Sequence, residues 1–150
     1  MNTIMGIDPG KSGAAALVGN NEYIDHVDWT DGPSVAEKIR EWKFKHGITY
    51  AVLERVHAMP KQGVSSTFSF GQNYGWWKGL LDSLGIAWTE ATPQQWQKGV
   101  VPKRGNDNDK PSLTIARRMF PDAPLSRKKD HGRADALLIA SWGYRAGFGK

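Results

Sequence analysis

Three carboxylates stand at positions where a charged side chain needs a chemical reason. Asp8 ends the apolar run 4–7, Glu54 ends a second apolar run at 50–53, and Asp135 opens an apolar helical segment. A carboxylate at the end of a buried strand is costly unless a cation or hydrogen-bond donors compensate its charge. A single such acid would best be interpreted as a surface residue or a local cap. Three acids in matched contexts predict one shared site.

The chemistry that three such acids favour is metal-assisted phosphoryl transfer. Carboxylates from distant parts of a chain supply the hard oxygen ligands that Mg²⁺ or Mn²⁺ requires. Two such ions can stabilise the attacking and leaving oxygens of the transfer. The expected reaction is hydrolysis of a phosphodiester by water that leaves a 5′-phosphate. No covalent intermediate is expected, because no Cys or Ser nucleophile motif is visible.

A fourth position of the site has two candidates, Asp130 and His131. His131 and Asp135 are four residues apart and share a helix face. His131 is therefore a candidate ligand, or a residue that positions or activates water. Asp130 suits the N-cap of the last helix, and from there its side chain could still turn toward a metal. The residues alone leave this choice open.

Composition favours a polyanionic partner for this chain of 150 residues. Its net charge is +5, its pI is near 9.5, and it has no cysteine. Basic residues are concentrated between positions 98 and 133, which predicts contact with nucleic acid rather than charge for solubility alone. The chain has neither an apolar run long enough to span a bilayer nor a recognisable signal peptide. We expect one domain acting in the cytoplasm.

The predicted elements alternate in a way typical of an α/β fold. Short apolar or alternating runs bounded by Gly, Asn and Pro predict strands, and runs with helical periodicity predict helices. The expected strands are 4–8, 14–18, 21–29, 50–54 and 86–91. The first expected helix is signalled by residues 31–34 and ends at Gly47, a second spans 67–84, a short helical turn starts at 92–96, and two more helices run from 111 to about 120 and from 130 to about 146. This order predicts a mixed five-stranded sheet flanked by helices, with strands 4–8 and 50–54 side by side.

The predicted long helix 67–84 carries an apolar stripe and a glycine stripe. Apolar residues recur at helical spacing from Phe70 to Leu84, and glycines recur every four residues at 71, 75 and 79. Glycine inside a helix costs about 0.5–1 kcal/mol, so three of them suggest that the backbone closely approaches a sheet or a partner helix. The apolar stripe either forms a dimer or only covers the sheet.

Taken together, the motifs resemble the RuvC-like Holliday junction resolvases of the ribonuclease H-like superfamily, and in part their phage and chloroplast branch. The order and spacing of the motifs carry this resemblance over nearly the whole chain. The matching segments are Ile7-Asp8-Pro9-Gly10 with Gly13, Leu53-Glu54, Gly71-Gln72 with Gly75, Thr92-Pro93 with Trp96, Lys110 with Ser112, Ala116 and Phe120-Pro121, and Arg133-Ala134-Asp135 through Ala140.

The resemblance implies a homodimeric, Mg²⁺-dependent endonuclease that cuts four-way DNA junctions symmetrically, with Mn²⁺ able to substitute. It implies that Asp8, Glu54 and Asp135 are metal ligands, with Asp130 or His131 nearby. It also implies that the helix 67–84 forms the dimer. The order Asp130-His131 is unusual for the family and leaves the fourth ligand open.

Several residues are candidates for DNA contact. Lys103 and Lys110 resemble DNA-contacting positions, and Lys98 and Arg104 share the polar loop that precedes Lys110. Such cations contact phosphates and carry little sequence information. His57 and Phe68, which follow Glu54, could stack or wedge at the junction centre. Two alternative functions remain: a nuclease for other branched DNA or for RNA–DNA hybrids, and a DNA-binding module that does not cleave.

Overall fold

Five strands form one mixed sheet in the order β3-β2-β1-β4-β5. The computed structural model describes residues 1–56, 61–102 and 110–150. The strands are β1 Thr3–Asp8, β2 Ala14–Gly19, β3 Glu22–Asp28, β4 Tyr50–Glu54 and β5 Trp88–Ala91. The predicted mixed five-stranded sheet is confirmed.

The central pair of strands places two of the three acids at one end of the sheet. β1 and β4 run parallel, with Ile7 opposite Leu53, so Asp8 and Glu54 follow at the same edge. Side chains alternate between the two faces of a strand. Ile7 and Leu53 pack on one face, so Asp8 and Glu54 project from the other face. The expectation that the two acid-tipped strands lie side by side is therefore confirmed.

Helices cover both faces of this sheet. They are α1 Gly32–Lys45, α2 Val64–Ser83, α3 Pro93–Gln97, α4 Pro111–Met119 and α5 His131–Arg145. Residues of α1 and α2 pack on one face, and residues of α3, α4 and α5 pack on the other. Asp8 and Glu54 thus project toward the layer that contains Asp135. In the part of the chain that the structure describes, no helix has the length and apolar character to cross a membrane.

Two glycines let α5 lie directly against the sheet and its first turn. A Cβ on Gly6 would come 2.0 Å from the carbonyl oxygen of Ala136, and a Cβ on Gly132 would come 2.2 Å from that of Ser12. Both distances are far shorter than any real contact, so only glycine allows this approach. The helix that carries Asp135 is thereby fixed against the strand that carries Asp8.

The structure moves two predicted boundaries. β5 begins at Trp88 and not at residue 86, because the backbone N–H of Ile86 still bonds back to Leu81 at 3.0 Å. α2 begins at Val64, three residues before the predicted start. The sequence pattern missed these residues because the first turn is mostly polar and shows no apolar periodicity. β2 and β3 are joined by a tight hairpin turn, with Asn20 and Asn21 at φ of 49° and 64°.

Candidate active site

The fold brings Asp8, Glu54 and Asp135 close enough for each to alter the ionisation of another. The charge of Asp8 raises the pKa of both Glu54 and Asp135, and the charge of Asp135 raises that of Glu54. All three are partly buried at the carboxyl end of β1 and β4. We call them the acidic cluster. Residues separated by as many as 127 positions in the sequence meet here.

Glu54 is oriented by an indole from α3. The Nε1–H of Trp96, a fully buried residue, donates a 2.7 Å hydrogen bond to Oε2 of Glu54. Burial and the charge of Asp8 raise the pKa of Glu54 to about 8, although this hydrogen bond opposes the shift. Without a compensating cation, Glu54 is therefore largely protonated at neutral pH.

Asp135 lies on the first turns of α5 and faces the N-terminal end of α4. Burial and the charge of Asp8 raise its pKa to about 7, while a hydrogen bond from Ser112 and the charge of Lys110 act in the opposite direction. Ser112 is buried, so it is a fixed donor. The start of α4 thus supplies one neutral and one cationic group to this carboxylate.

Asp8 is the acid whose charge raises the pKa of both others. Burial raises its own pKa, and the backbone N–H of Gly10 opposes this shift through a 3.1 Å bond to Oδ1. Positive charges on His131 and Lys110 also favour its ionised form. His131 therefore lies on the side of α5 that faces the acidic cluster, as its spacing from Asp135 predicts.

The three carboxylates of the acidic cluster are better suited to surround a divalent cation than to lie together without one. Three mutually repelling carboxylates with raised pKa values gain stability when a hard cation neutralises them. Within the described ranges, however, no three His, Asp or Glu side chains already converge tightly enough to hold a metal ion. The cluster therefore has the charge and the ligand chemistry of a Mg²⁺ or Mn²⁺ site, and coordination requires its side chains to adjust.

The carboxylate of Asp130, one of the two candidates for the fourth position, is paired with arginine side chains. Its buried carboxylate accepts bonds from Nε and Nη2 of Arg127 at 3.0 and 2.7 Å, and Nη1 of Arg133 lies 3.5 Å from Oδ1. Burial alone would raise the pKa of Asp130, but the bonds from Arg127 and the charge of Arg133 hold it below the usual value. Asp130 also makes no capping bond to α5, because its second oxygen accepts the backbone N–H of Arg127 at 2.8 Å.

The predicted DNA contacts separate into three groups. Lys110 immediately precedes α4 and acts on Asp8 and Asp135, so it lies beside the acidic cluster. Phe68 is 67% exposed on α2, and Lys98 is exposed after α3. His57, Lys103 and Arg104 lie outside the described residues.

Sequence reasoning missed the groups that support the cluster. Trp96 and Ser112 were noted only as parts of motifs, yet they bond to Glu54 and Asp135. A local signal did exist for Trp96. Thr92 and Gln95 form a reciprocal capping box, which fixes the one-turn helix that presents the indole.

Comparison with solved structures identifies the fold. Thermus thermophilus RuvC in complex with Holliday junction substrate superimposes with a TM-score of 0.69 and 16% sequence identity, covering 98% of this chain and 97% of that chain. A second Thermus thermophilus RuvC structure gives a TM-score of 0.66 with 15% identity, covering 97% of each chain. The chain therefore has the RuvC form of the ribonuclease H-like fold, as the motifs predict.

At the sequence level, a chloroplastic protein is a relative. The Holliday junction resolvase MOC1 of Chlamydomonas reinhardtii is 36% identical over 97 residues, which cover 62% of this chain. That stretch is 11% of the relative, so the chain matches only a small part of its length. No protein-family model matches the chain. The resemblance to RuvC-like resolvases is thus found both in the fold and in the sequence.

Proposed function

We propose that this chain is a structure-selective endonuclease that resolves four-way DNA junctions by metal-dependent hydrolysis of phosphodiesters. The observation that carries the proposal is the acidic cluster, whose pKa values of about 8 and 7 at Glu54 and Asp135 reflect buried charges with too few compensating donors. A protein that only binds DNA gains nothing from carboxylates directed toward phosphate. The names of the RuvC complex and of the algal relative indicate the class of substrate.

Asp8, Glu54 and Asp135 would hold the divalent cation, with Mg²⁺ the expected ion and Mn²⁺ a substitute. When bound, such a cation polarises the phosphoryl group and lowers the pKa of the attacking water. Trp96 orients Glu54, and Ser112 orients Asp135. Lys110, beside the cluster, would hold a nonbridging oxygen of the phosphate that is cut.

His131, rather than Asp130, is proposed as the fourth functional residue. His131 faces Asp8 on α5 and can take up or release a proton near the attacking water. Asp130 is held by Arg127 and Arg133. A carboxylate that is already paired with Arg127 and lies 3.5 Å from Arg133 has little to gain from a metal.

Two further DNA contacts are proposed because their side chains are exposed. Lys98 would contact a phosphate, and Phe68 would stack on a base. His57, Lys103 and Arg104 stay sequence-based predictions for the same surface.

We also propose that α2 forms a homodimer. A single face of α2 carries Val64 and the three glycines, with Val64 88% exposed. Among the residues that the structure describes, none comes within 4 Å of a Cβ built on Gly71, Gly75 or Gly79, so these glycines do not accommodate the sheet. The opposite face, with Trp77 and Leu81, is buried in the core. A second copy of α2 gives the glycines the close neighbour that their cost requires.

The test uses a labelled synthetic four-way junction and a linear duplex of the same arm sequence, with Mg²⁺ or Mn²⁺. We expect paired, symmetrical nicks on the junction alone, and we expect Asp8→Asn to bind the junction without cutting it. Equal cutting of the linear duplex would replace the proposal with a broader nuclease. Binding without cutting under either metal would make the chain a binding module.

A further inference from the structure

A cavity of about 360 Å³ beside the β1–β2 turn is lined by cations from two separate parts of the fold. Lys11 comes from the turn, and Arg127, Lys129 and Arg133 come from the segment that leads into α5. We call this cavity the basic pocket. Arg127, Lys129 and Arg133 belong to the basic stretch 98–133, but neither they nor Lys11 were among the individually predicted DNA contacts.

Two of the four cations are fixed in place by acids. Arg133 binds Asp28 through two hydrogen bonds of 2.9 and 2.8 Å and also donates to the carbonyl of Pro124 at 2.9 Å. Arg127 is held by the buried Asp130. These contacts join β3, the approach to α5 and α5 itself into a rigid wall.

The other two cations, Lys11 and Lys129, are exposed and make no ion pair with any residue that the structure describes. Asp28 and Asp130 offset the two arginines, so the two lysines leave the pocket with an excess of two positive charges. Such an excess in a concave site attracts an anion that carries more than one acceptor oxygen.

The position of the pocket relates it to the proposed active site. Lys11 lies three residues after Asp8 in the turn whose backbone packs against Gly132 of α5. Trp29 forms part of the pocket wall and is itself held by edge contacts with Trp76 at 4.9 Å between ring centroids. An indole beside cations suits a nucleotide unit, whose base can stack on the ring while its phosphate meets the cations, better than an isolated inorganic anion.

We propose that the basic pocket binds a backbone phosphodiester of the DNA strand that runs past the active site on the β3 side. Lys11 and Lys129 contact its nonbridging oxygens, while the two arginines supply the fixed positive wall. This inference rests on the proposed function and extends it, because it specifies where the strand lies next to the cut.

The first experiment removes the two unpaired charges and measures how DNA affinity depends on salt. In an Asp8→Asn background, Lys11→Gln/Lys129→Gln is compared with Lys45→Gln/Lys128→Gln, which loses the same charge. Lys128 adjoins Lys129 without lining the pocket, and Lys45 lies at the end of α1, remote from the carboxyl ends of the strands. We expect the pocket variant to bind the junction about tenfold more weakly, with a salt slope lower by about 1 per lysine. The control pair should keep the wild-type slope.

A second experiment locates the contact on the DNA. Single phosphates near the cut are replaced by uncharged methylphosphonates, and binding is measured for the parent protein and for the pocket variant. We expect at least one replacement to weaken binding of the parent about threefold or more and to leave the variant unaffected. If the pocket variant keeps the parent affinity, slope and sensitivity, the inference is wrong.

The two proposals fail in distinguishable ways. If the protein with Asp8 intact binds junctions but never cuts them, the proposed function fails, while the salt slope still decides whether the pocket contacts phosphate. If it cuts junctions normally and the pocket variant cuts and binds equally well, only the pocket inference fails. Absence of any DNA binding would overturn both.

Discussion

Trp96 and Glu54 form a 2.7 Å hydrogen bond that links the buried core to the acidic cluster. The indole belongs to the same buried cluster as Leu113 and Leu137, so its donor has little freedom to move. Under the proposed function, this bond would fix one oxygen of Glu54 and leave the second for the cation.

Replacing Trp96 by Phe should therefore weaken metal use without abolishing cleavage. We expect the Mg²⁺ concentration that gives half the maximal cleavage rate to rise about tenfold, with the rate at saturating Mg²⁺ changed much less. Trp88→Phe is the matched control, because Trp88 also donates its indole N–H to a carboxylate, that of Asp82 at 2.8 Å, outside the cluster. An equal shift in both variants, or none in Trp96→Phe, would contradict a positioning role for Trp96.

The acidic cluster should make the metal-free protein more stable as the pH falls from about 8 to 7. The pKa values of Glu54 and Asp135 in the folded state, about 8 and 7, lie above their ordinary values of 4.5 and 3.8. Over this range the folded state binds protons that the unfolded state does not bind, so the free energy of unfolding rises as the pH falls. Below about pH 6.5 the lowered pKa of His26 acts in the opposite direction. Thermal unfolding in a metal chelator measures the slope.

Asp8→Asn should flatten this dependence and raise the melting temperature of the metal-free protein. The substitution removes the charge that raises the pKa of both other acids. If the free energy of unfolding rises by about 1 kcal/mol, the melting temperature should rise by roughly 3 °C. Added Mg²⁺ or Mn²⁺ should stabilise the wild type more than the variant. Asp122→Asn, the same change at an exposed turn, should leave the pH slope intact. A destabilised Asp8→Asn protein would show that Asp8 is a structural residue.

Asp130 and His131 should give opposite phenotypes although they are adjacent. Asp130→Asn leaves Arg127 and Arg133 beside a neutral group, which we expect to cost about 2 kcal/mol of stability while cleavage persists at temperatures where the protein is folded. His131→Gln should keep the melting temperature and lower the cleavage rate about 100-fold. If instead Asp130→Asn abolishes cleavage in a fully folded protein, Asp130 acts at the metal.

Gly75→Leu should separate folding from dimer formation. In the isolated chain no described residue lies within 4 Å of a Cβ added at Gly75, and Leu is a better helix former than Gly by about 0.8–1 kcal/mol, so the fold should not be weakened. Across a close helix pair the same side chain collides, and dimer dissociation should become at least about tenfold more favourable. Sedimentation velocity over a range of concentrations measures this, with Gln94→Leu on α3 as a control for added apolar surface. An unchanged dimer in Gly75→Leu would place the interface elsewhere.

How much the sequence reveals depends on how local each determinant is. Asp8 and Glu54 are predictable because a short apolar run that ends in an acid identifies both the strand and its terminal carboxylate. The periodicity of α2 predicts an apolar stripe with Trp77 and Leu81 but not what covers it, and in the structure both residues are buried in the core.

Other features depend on contacts between residues that are remote in sequence. Arg133 meets Asp28 across 105 positions, and Trp96 meets Glu54 across 42. No local pattern specifies those pairings. The position of Asp130 before α5 predicted a cap that could also turn toward a metal, and no local pattern indicated that its carboxylate pairs with Arg127 and Arg133.

The most direct test of the central claim is to neutralise each acid of the cluster and measure junction cleavage. Asp8→Asn, Glu54→Gln and Asp135→Asn are assayed over a range of Mn²⁺ concentrations, with Asp122→Asn as the control and junction binding measured in parallel. If the three acids jointly hold the cation, each variant should bind the junction and cut it at least about 1000-fold more slowly, while the control cuts normally. Wild-type cleavage by any two of the three variants would contradict the account.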